Sequence, residues 1–354
     1  MKQSVLAKSE ADLDRPHAEN DWTSHALTGV RRLNAPSRHR GSAKITTVLV
    51  PCDLSERSIE AAHYAGGLAK KFGATVHFIH VSEIDHVPPD IALIPSDPVA
   101  WEEEGARALK ERFKRTSRGT VSANFHERLG RPSDQICRLS EEIGADLVVM
   151  STSDGNGLKR LFLGSNAERV VQHSSVPVIV VRSDEGQVID HTQLRIQTIL
   201  VPTDFSTASV EGLNYAISFA REFGARLVVF HAFSTQDFVT PNPYGLYNVR
   251  PTPEEAHSAT EVLMRDFVTR CDFAGVEFET HITTSEAAEG ICDYAEEIKA
   301  DLIITSTHGR TGFLHVLIGS VAEDVVRYAR SPVLVVPGSL KQKLYFWEQL
   351  RPFA

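Results

Sequence analysis

The chain has 354 residues, 42% apolar, 23% charged and 8% aromatic, a composition that excludes gross disorder, collagen-like repeats and fibres. Its length suggests about two domains, each able to bury a core, and no apolar run reaches the roughly 18 residues that span a bilayer, so no membrane partner is expected. The net charge of −9 is uneven: residues 1–44 carry eight Lys/Arg against five Asp/Glu and the other 310 carry 29 against 41, an acidic body that excludes nucleic acid as the main partner.

From the amino end, 1–44 is polar with little periodicity and reads as a disordered tail. Its opening, MKQSVLAKSE, lacks an apolar h-region, so no secretory signal is expected. Glu10, Asp12, Asp14, Glu19 and Asp21 oppose a transit peptide. The next stretch, 45–183, is written again at 196–338, after a polar linker at 184–195. LVPCDLS around Asp53 returns as LVPTDFS around Asp204, and KKFGATVHFIHV as REFGARLVVFHA, both offset by 151. IGADLVVMSTS returns as IKADLIITSTH, and LFLGSNAERVVQHSSVPVIVV as VLIGSVAEDVVRYARSPVLVV, both offset by 155. A surface loop absorbs the four-residue drift. Each copy is about 140 residues, long enough for a domain, so the pattern is a tandem duplication.

Each copy alternates strands and helices. In the second, a buried strand is expected over 198–201 and helical spacing over 206–223, ended by Gly224. A strand over 226–231 precedes a helix over 253–271, opened by Thr252 as N-cap with Pro253 in its first turn. A strand over 277–282, a helix over 286–299, a strand over 301–305, a helix over 321–330 and a strand over 332–336 complete the copy. LIIT and VLVV are apolar throughout, as in strands with helices on both sheet faces. The order gives an α/β fold: two tandem doubly wound five-stranded parallel-sheet domains. The last strands of the copies lie at sheet edges, which invite pairing. The tail 339–354 docks through Tyr345, Phe346 and Trp347 or frays.

In an open α/β sheet, ligands sit outside the carboxyl ends of the strands, where strand order reverses. That places Pro202, Thr203 and Asp204 opposite Ser306, Thr307, His308 and Gly309, with Gly319 and Ser320 opening the last helix. Glycine lets backbone N–H groups approach an anion, and a helix N-terminus adds donors and partial positive charge. Ser320 is expected as both N-cap and phosphate ligand. Asp204 suits ribose hydroxyls, because an ionised carboxylate only accepts.

VPTDFS, FGARLVVFHAF and STHG-x9-GS followed by VAEDVVRYARSPVLVV resemble the universal stress protein family. The resemblance covers both copies and leaves out the tails and linker. It implies the fold above (adenine nucleotide alpha hydrolase-like) and ATP as ligand, alone or with Mg²⁺. Pro202, Thr203 and Asp204 would hold adenine and ribose, and Ala232 would line the base. Ser306 and Gly309 would line ribose and phosphates, while Gly319, Ser320 and Val321 would bind phosphate. Ser306 stands where the G-x-x-G-x9-G-S/T pattern has its first glycine, and its Cβ is expected to crowd the ribose. The family's strand-joined dimers imply that the tandem chain forms an internal pseudo-dimer, a state compatible with a further homodimer of chains.

Copy one departs further. Both early glycines are gone, and Asp154 stands at the position of Gly309. A carboxylate about 4 Å from a phosphate charge costs about 4 kcal/mol at an effective dielectric of about 20. Copy one is therefore expected not to bind ATP unaided; Mg²⁺ on Asp154, or a loop shifted onto Gly155 and Gly157, is the escape. Asp53 and Asp204 have a rival role as helix caps. His80 and His231 read as satisfied core or rim histidines, His308 as a loop residue, and Cys52 as a small buried residue against a redox alternative. The Pro-rich loops 87–99 and 240–253 lid the pocket, meet a partner or simply connect. Four sparse cysteines without a CxxC imply a reducing, cytoplasmic setting and no cysteine metal site. No catalytic residue and no metal ligand is assigned. The expectation is a regulatory stress-response protein, with slow ATPase or autophosphorylation as the upper limit. Its rivals are a nucleotide-free interaction module and an adenylyl-transferring enzyme, whose HxGH, KMSKS and SGGxDS strings do not occur.

Overall fold

The computed structural model of the chain describes residues 45–53, 55–83, 98–114, 122–152, 164–182, 194–234, 252–273, 275–307 and 319–338. Both tails, the loop at 240–251, and the segments 153–163 and 308–318 that carry Asp154, Gly155, Gly157, His308 and Gly309 lie outside these. Copy one contains β1 (Thr47–Pro51), α1 (Glu56–Phe72), β2 (Thr75–Ser82), α2 (Pro98–Lys114), β3 (Ala123–Leu129), α3 (Pro132–Glu142), β4 (Leu147–Ser151), α4 (Ser165–His173) and β5 (Val178–Val181). Copy two contains β6 (Thr198–Pro202), α5 (Thr207–Phe223), β7 (Arg226–Phe233), α6 (Pro253–Val268), β8 (Phe278–Thr284), α7 (Ala287–Glu297), β9 (Leu302–Ser306), α8 (Ser320–Tyr328) and β10 (Val333–Val336).

The local chemistry explains these limits. Both α1 and α5 stop at a left-handed glycine, Gly73 (φ 69°) and Gly224 (φ 67°), whose N–H returns to the carbonyl of Ala69 or Ala220. Thr252 and Glu255 close a reciprocal capping box on α6. Three expected helix spans are corrected. The spacing ran to 271, but α6 ends at Val268, where the Arg270 N–H donates to the Phe267 carbonyl at 3.1 Å. Instead of 286–299, α7 spans Ala287–Glu297. Instead of 321–330, α8 starts at Ser320 and stops because Ala329 is extended (ψ 140°). The end of the loop expected over 87–99 opens α2 from Pro98.

The sheet order is β3-β2-β1-β4-β5-β10-β9-β6-β7-β8. Pairing is parallel within each copy. The two expected edge strands meet each other: β5 and β10 pair antiparallel, with Leu334 opposite Ile179. Two five-stranded sheets thus become one of ten strands. One face is covered by α1, α2, α5 and α6, the other by α3, α4, α7 and α8, and each core runs through both copies. At the seam, Phe72 of α1 lies 5.9 Å from Phe219 and 5.8 Å from Phe223 of α5. Burial first, then Asp301 and Asp146 of the opposite copy, pushes the phenols of Tyr64 and Tyr215 up. Arg182, just after β5, donates to the main-chain carbonyl of Arg327 in the last turn of α8.

On the outer edge of copy one, His77 Nδ1 and His126 Nε2 lie 3.0 Å apart, their rings 9° from parallel. Burial depresses both; with His77 and Arg128 adding to it and Glu142 opposing, His126 falls from 6.5 to about 4. The unfolded chain therefore binds the proton more readily between those values, and the folded state loses stability as pH falls from 6.5 toward 4. Thermal melts across that window should show a shallower loss for His126→Gln than for wild type.

Candidate functional site

The strand order of copy two reverses between β6 and β9, the place where an open α/β sheet takes a ligand at its carboxyl ends. After β6 the chain makes a braced turn. The Thr203 N–H donates to the Phe230 carbonyl at 2.8 Å. His231 Nδ1–H donates to the Thr203 carbonyl at 2.6 Å, a satisfied rim histidine as expected. The cap of α5 is Ser206, whose Oγ accepts from the Ser209 N–H at 3.2 Å. Asp204 braces that cap: its Oδ1 accepts from the Ser206 N–H at 3.0 Å and from Ser209 Oγ at 2.6 Å. A carboxylate has about four lone-pair positions, so bracing and sugar binding are not exclusive. Between Asp204 and Ser206, Phe205 sits at φ 65°. That left-handed conformation costs a residue with a side chain about 1–2 kcal/mol.

On the opposite wall, the Thr307 N–H donates to the Val336 carbonyl. The Gly319 N–H donates to the Thr307 carbonyl at 2.8 Å. Two expectations shift as a result. The N-cap of α8 is Gly319, with no side-chain cap bond, and Ser320 is the first helical residue. The Gly319 amide is already engaged. The first backbone bond within α8 runs from Glu323 to Gly319, so the N–H groups of Ser320, Val321 and Ala322 have no intrahelical acceptor. Ser320 and Val321 are exposed.

The φ of −58° at Gly319 suits any residue, and among the described residues an added Cβ there would meet only the Thr307 carbonyl, at 3.6 Å. Ser306 turns its Cβ toward α5, 3.6 Å from where a side chain on Gly212 would begin. Ala232 packs on the α7 side, 3.3 Å from a Cβ built on Gly290. The structure thus brings Pro202, Thr203, Asp204, Ala232, Ser306, Gly319, Ser320 and Val321 to the carboxyl end of one half-sheet. Phe205, Gly212 and Gly290 were not singled out in the sequence, where only the placement of the two glycines on helical faces gives any signal.

The same end of copy one is built differently. Cys52 replaces Thr203, and its buried thiol is held well above the ordinary range, first by burial and then by Asp53. The default reading of Cys52 as a small buried residue fits this. Burial alone would raise Asp53, but hydrogen bonds from Ser55 and Ser58 hold it below the usual carboxylate value. Asp53 Oδ1 accepts from the Ser55 N–H at 3.0 Å, so it too braces a helix cap. His80 does not reach back to the turn; its Nδ1 lies 2.8 Å from Glu127, which is 6% exposed and also accepts from Ser82 Oγ. A Cβ on Gly105 would fall 2.5 Å from Glu127 Cγ, so that glycine lets α2 sit on the pair.

Among the described residues, no helix is long and apolar enough to cross a membrane, and no three His, Cys, Asp or Glu side chains converge as for a metal. The model of the universal stress protein family matches residues 44–182 and 195–337. A universal stress protein of Methanocaldococcus jannaschii is 37% identical over 147 residues, covering 40% of this chain and 84% of that protein. One from Mycolicibacterium smegmatis is 25% identical over 298 residues, covering 82% of this chain and 96% of that one. A crystal structure of a universal stress protein from Archaeoglobus fulgidus is similar in fold, with a TM-score of 0.58 at 22% identity, covering 84% of this chain and 98% of that one.

Proposed function

The chain belongs to the universal stress protein family, and on that premise we propose that copy two binds ATP, alone or with Mg²⁺, as a regulatory stress-response protein in the cytoplasm. The observation that carries this reading is Gly319: a glycine that neither its own φ nor its described neighbours require, immediately before exposed first-turn residues whose amides lack helical acceptors. Phosphate would take the N–H groups of Ser320 and Val321 and the Ser320 hydroxyl, lying close over Gly319. Asp204 would accept from the ribose, Pro202, Thr203 and Ala232 would line the base, and Ser306 and Gly309 would close the ribose side. The turn of the Ser306 Cβ toward Gly212 supports room for a sugar there. Copy one serves as a structural partner without ATP. We assign no catalytic residue; slow ATPase or autophosphorylation is the upper limit.

Isothermal titration with ATP at fixed Mg²⁺ tests this. Asp204→Asn should weaken binding about tenfold or more, the loss of a hydrogen bond to a charged acceptor. Asp53→Asn should leave the affinity unchanged. Full ATP affinity in the Asp204 variant would contradict the assignment.

A further inference from the structure

We propose that Phe205 and His231 form a clamp that presents Asp204 to the sugar and thereby makes copy two selective for ribonucleotides over their deoxy forms. The inference rests on the nucleotide reading above and assigns roles to two residues which that reading leaves idle. The Phe205 ring lies 4.3 Å from the His231 ring and 5.7 Å from that of Phe267, a buried residue of α6. His231 holds the Thr203 carbonyl, and the Phe205 N–H returns to Thr203 Oγ1 at 2.9 Å. The backbone on both sides of Asp204 is therefore fixed, from Thr203 by one side chain and from Phe205 by its ring and amide. A residue held at φ 65° persists only where its surroundings over-determine it, and these contacts do so.

Copy one supplies the comparison within the same molecule. There Cys52 removes the hydroxyl that receives the amide, and Leu54, outside the described residues, stands at the place of Phe205. His80 is drawn to Glu127, whose counterpart in copy two is Ile282. Asp53 keeps its cap-bracing bonds, so the clamp is not needed for the turn to cap its helix. The Ser206 and Ser209 bonds already hold one oxygen of Asp204; what the clamp adds in copy two is a fixed backbone behind that carboxylate.

The test titrates ATP, 2′-deoxy-ATP and 3′-deoxy-ATP into the full chain as wild type, Phe205→Gly, His231→Phe and Asp204→Asn. Wild type should prefer ATP over the weaker deoxy analogue by about tenfold or more. Phe205→Gly keeps φ 65° accessible but removes the ring. His231→Phe keeps a ring but removes the donor. In both, the ratio should fall toward one, through loss of ATP affinity rather than gain for the analogue. All ligands meet the same preparation, so an unfolded fraction weakens them alike and leaves the ratio unmoved. An unchanged ratio in both variants overturns the clamp while the nucleotide reading stands. Wild type that binds ATP with no preference, and is indifferent to Asp204→Asn, also overturns it. Wild type that binds no ATP ends both.

Discussion

Gly319→Asp should abolish ATP binding while leaving the protein at least as stable as before. The two effects separate because residue 319 is the N-cap of α8, at φ −58° and ψ 140°, and lacks a side-chain cap bond. Aspartate is favoured at an N-cap, worth a few tenths of a kcal/mol over glycine, and among the described residues its Cβ has only the Thr307 carbonyl within 4 Å, at 3.6 Å. The same carboxylate stands where the triphosphate would lie. At about 4 Å and an effective dielectric of about 20, one charge pair costs about 4 kcal/mol, roughly a thousandfold in affinity. Titration should show no detectable binding, and melting should show an unchanged or raised midpoint. Gly164→Asp, at the matching cap of α4 (φ −58°), should leave ATP affinity as in wild type. An affinity preserved in Gly319→Asp would remove the phosphate from α8.

Phe219→Ala should have the largest effect on stability. Phe219 is wholly buried on α5 and stacks on Phe223 at 5.1 Å, while Phe72 reaches it from the other copy. Truncating a buried Phe costs about 3–5 kcal/mol, the lost transfer energy plus the cavity left behind. Because the cavity opens in a core shared by both copies, urea unfolding should shift as one transition rather than expose a weakened half. A shift confined to one of two resolved transitions would show that the halves unfold independently.

Much of this was written plainly in the chain. The repeat, the apolar strands and the glycines closing α1 and α5 follow from short-range rules, and so did the fold. The capping box at Thr252 needed only Glu255 three residues on. What stayed illegible depends on contacts made in space. Phe205 carries no glycine to announce its left-handed backbone; its stack on His231 and Phe267 is what holds it. Ser320 looked like the cap of α8 because serine is a favoured cap, yet Gly319, its amide tied to Thr307, is the cap and the helix begins at Ser320 itself. The nearness of the Ser306 Cβ to Gly212 of α5 was equally hidden from the spacing. The pair of His80 with Glu127 joins residues 47 apart, beyond the reach of any local pattern.

The antiparallel union of β5 with β10 has a further consequence. Two separate chains joined through such a seam would part on dilution, as mass action demands. Here a covalent tether holds the partners at a high effective concentration, so the union survives at any dose of protein the cell makes. It also releases the halves from obligatory symmetry. Lys71 lies 5.5 Å over the ring of Phe223, while the residue of copy two that corresponds to Lys71 is Glu222, a difference that two identical subunits could not adopt one at a time. Fusion thus lets the two halves drift apart in their chemistry.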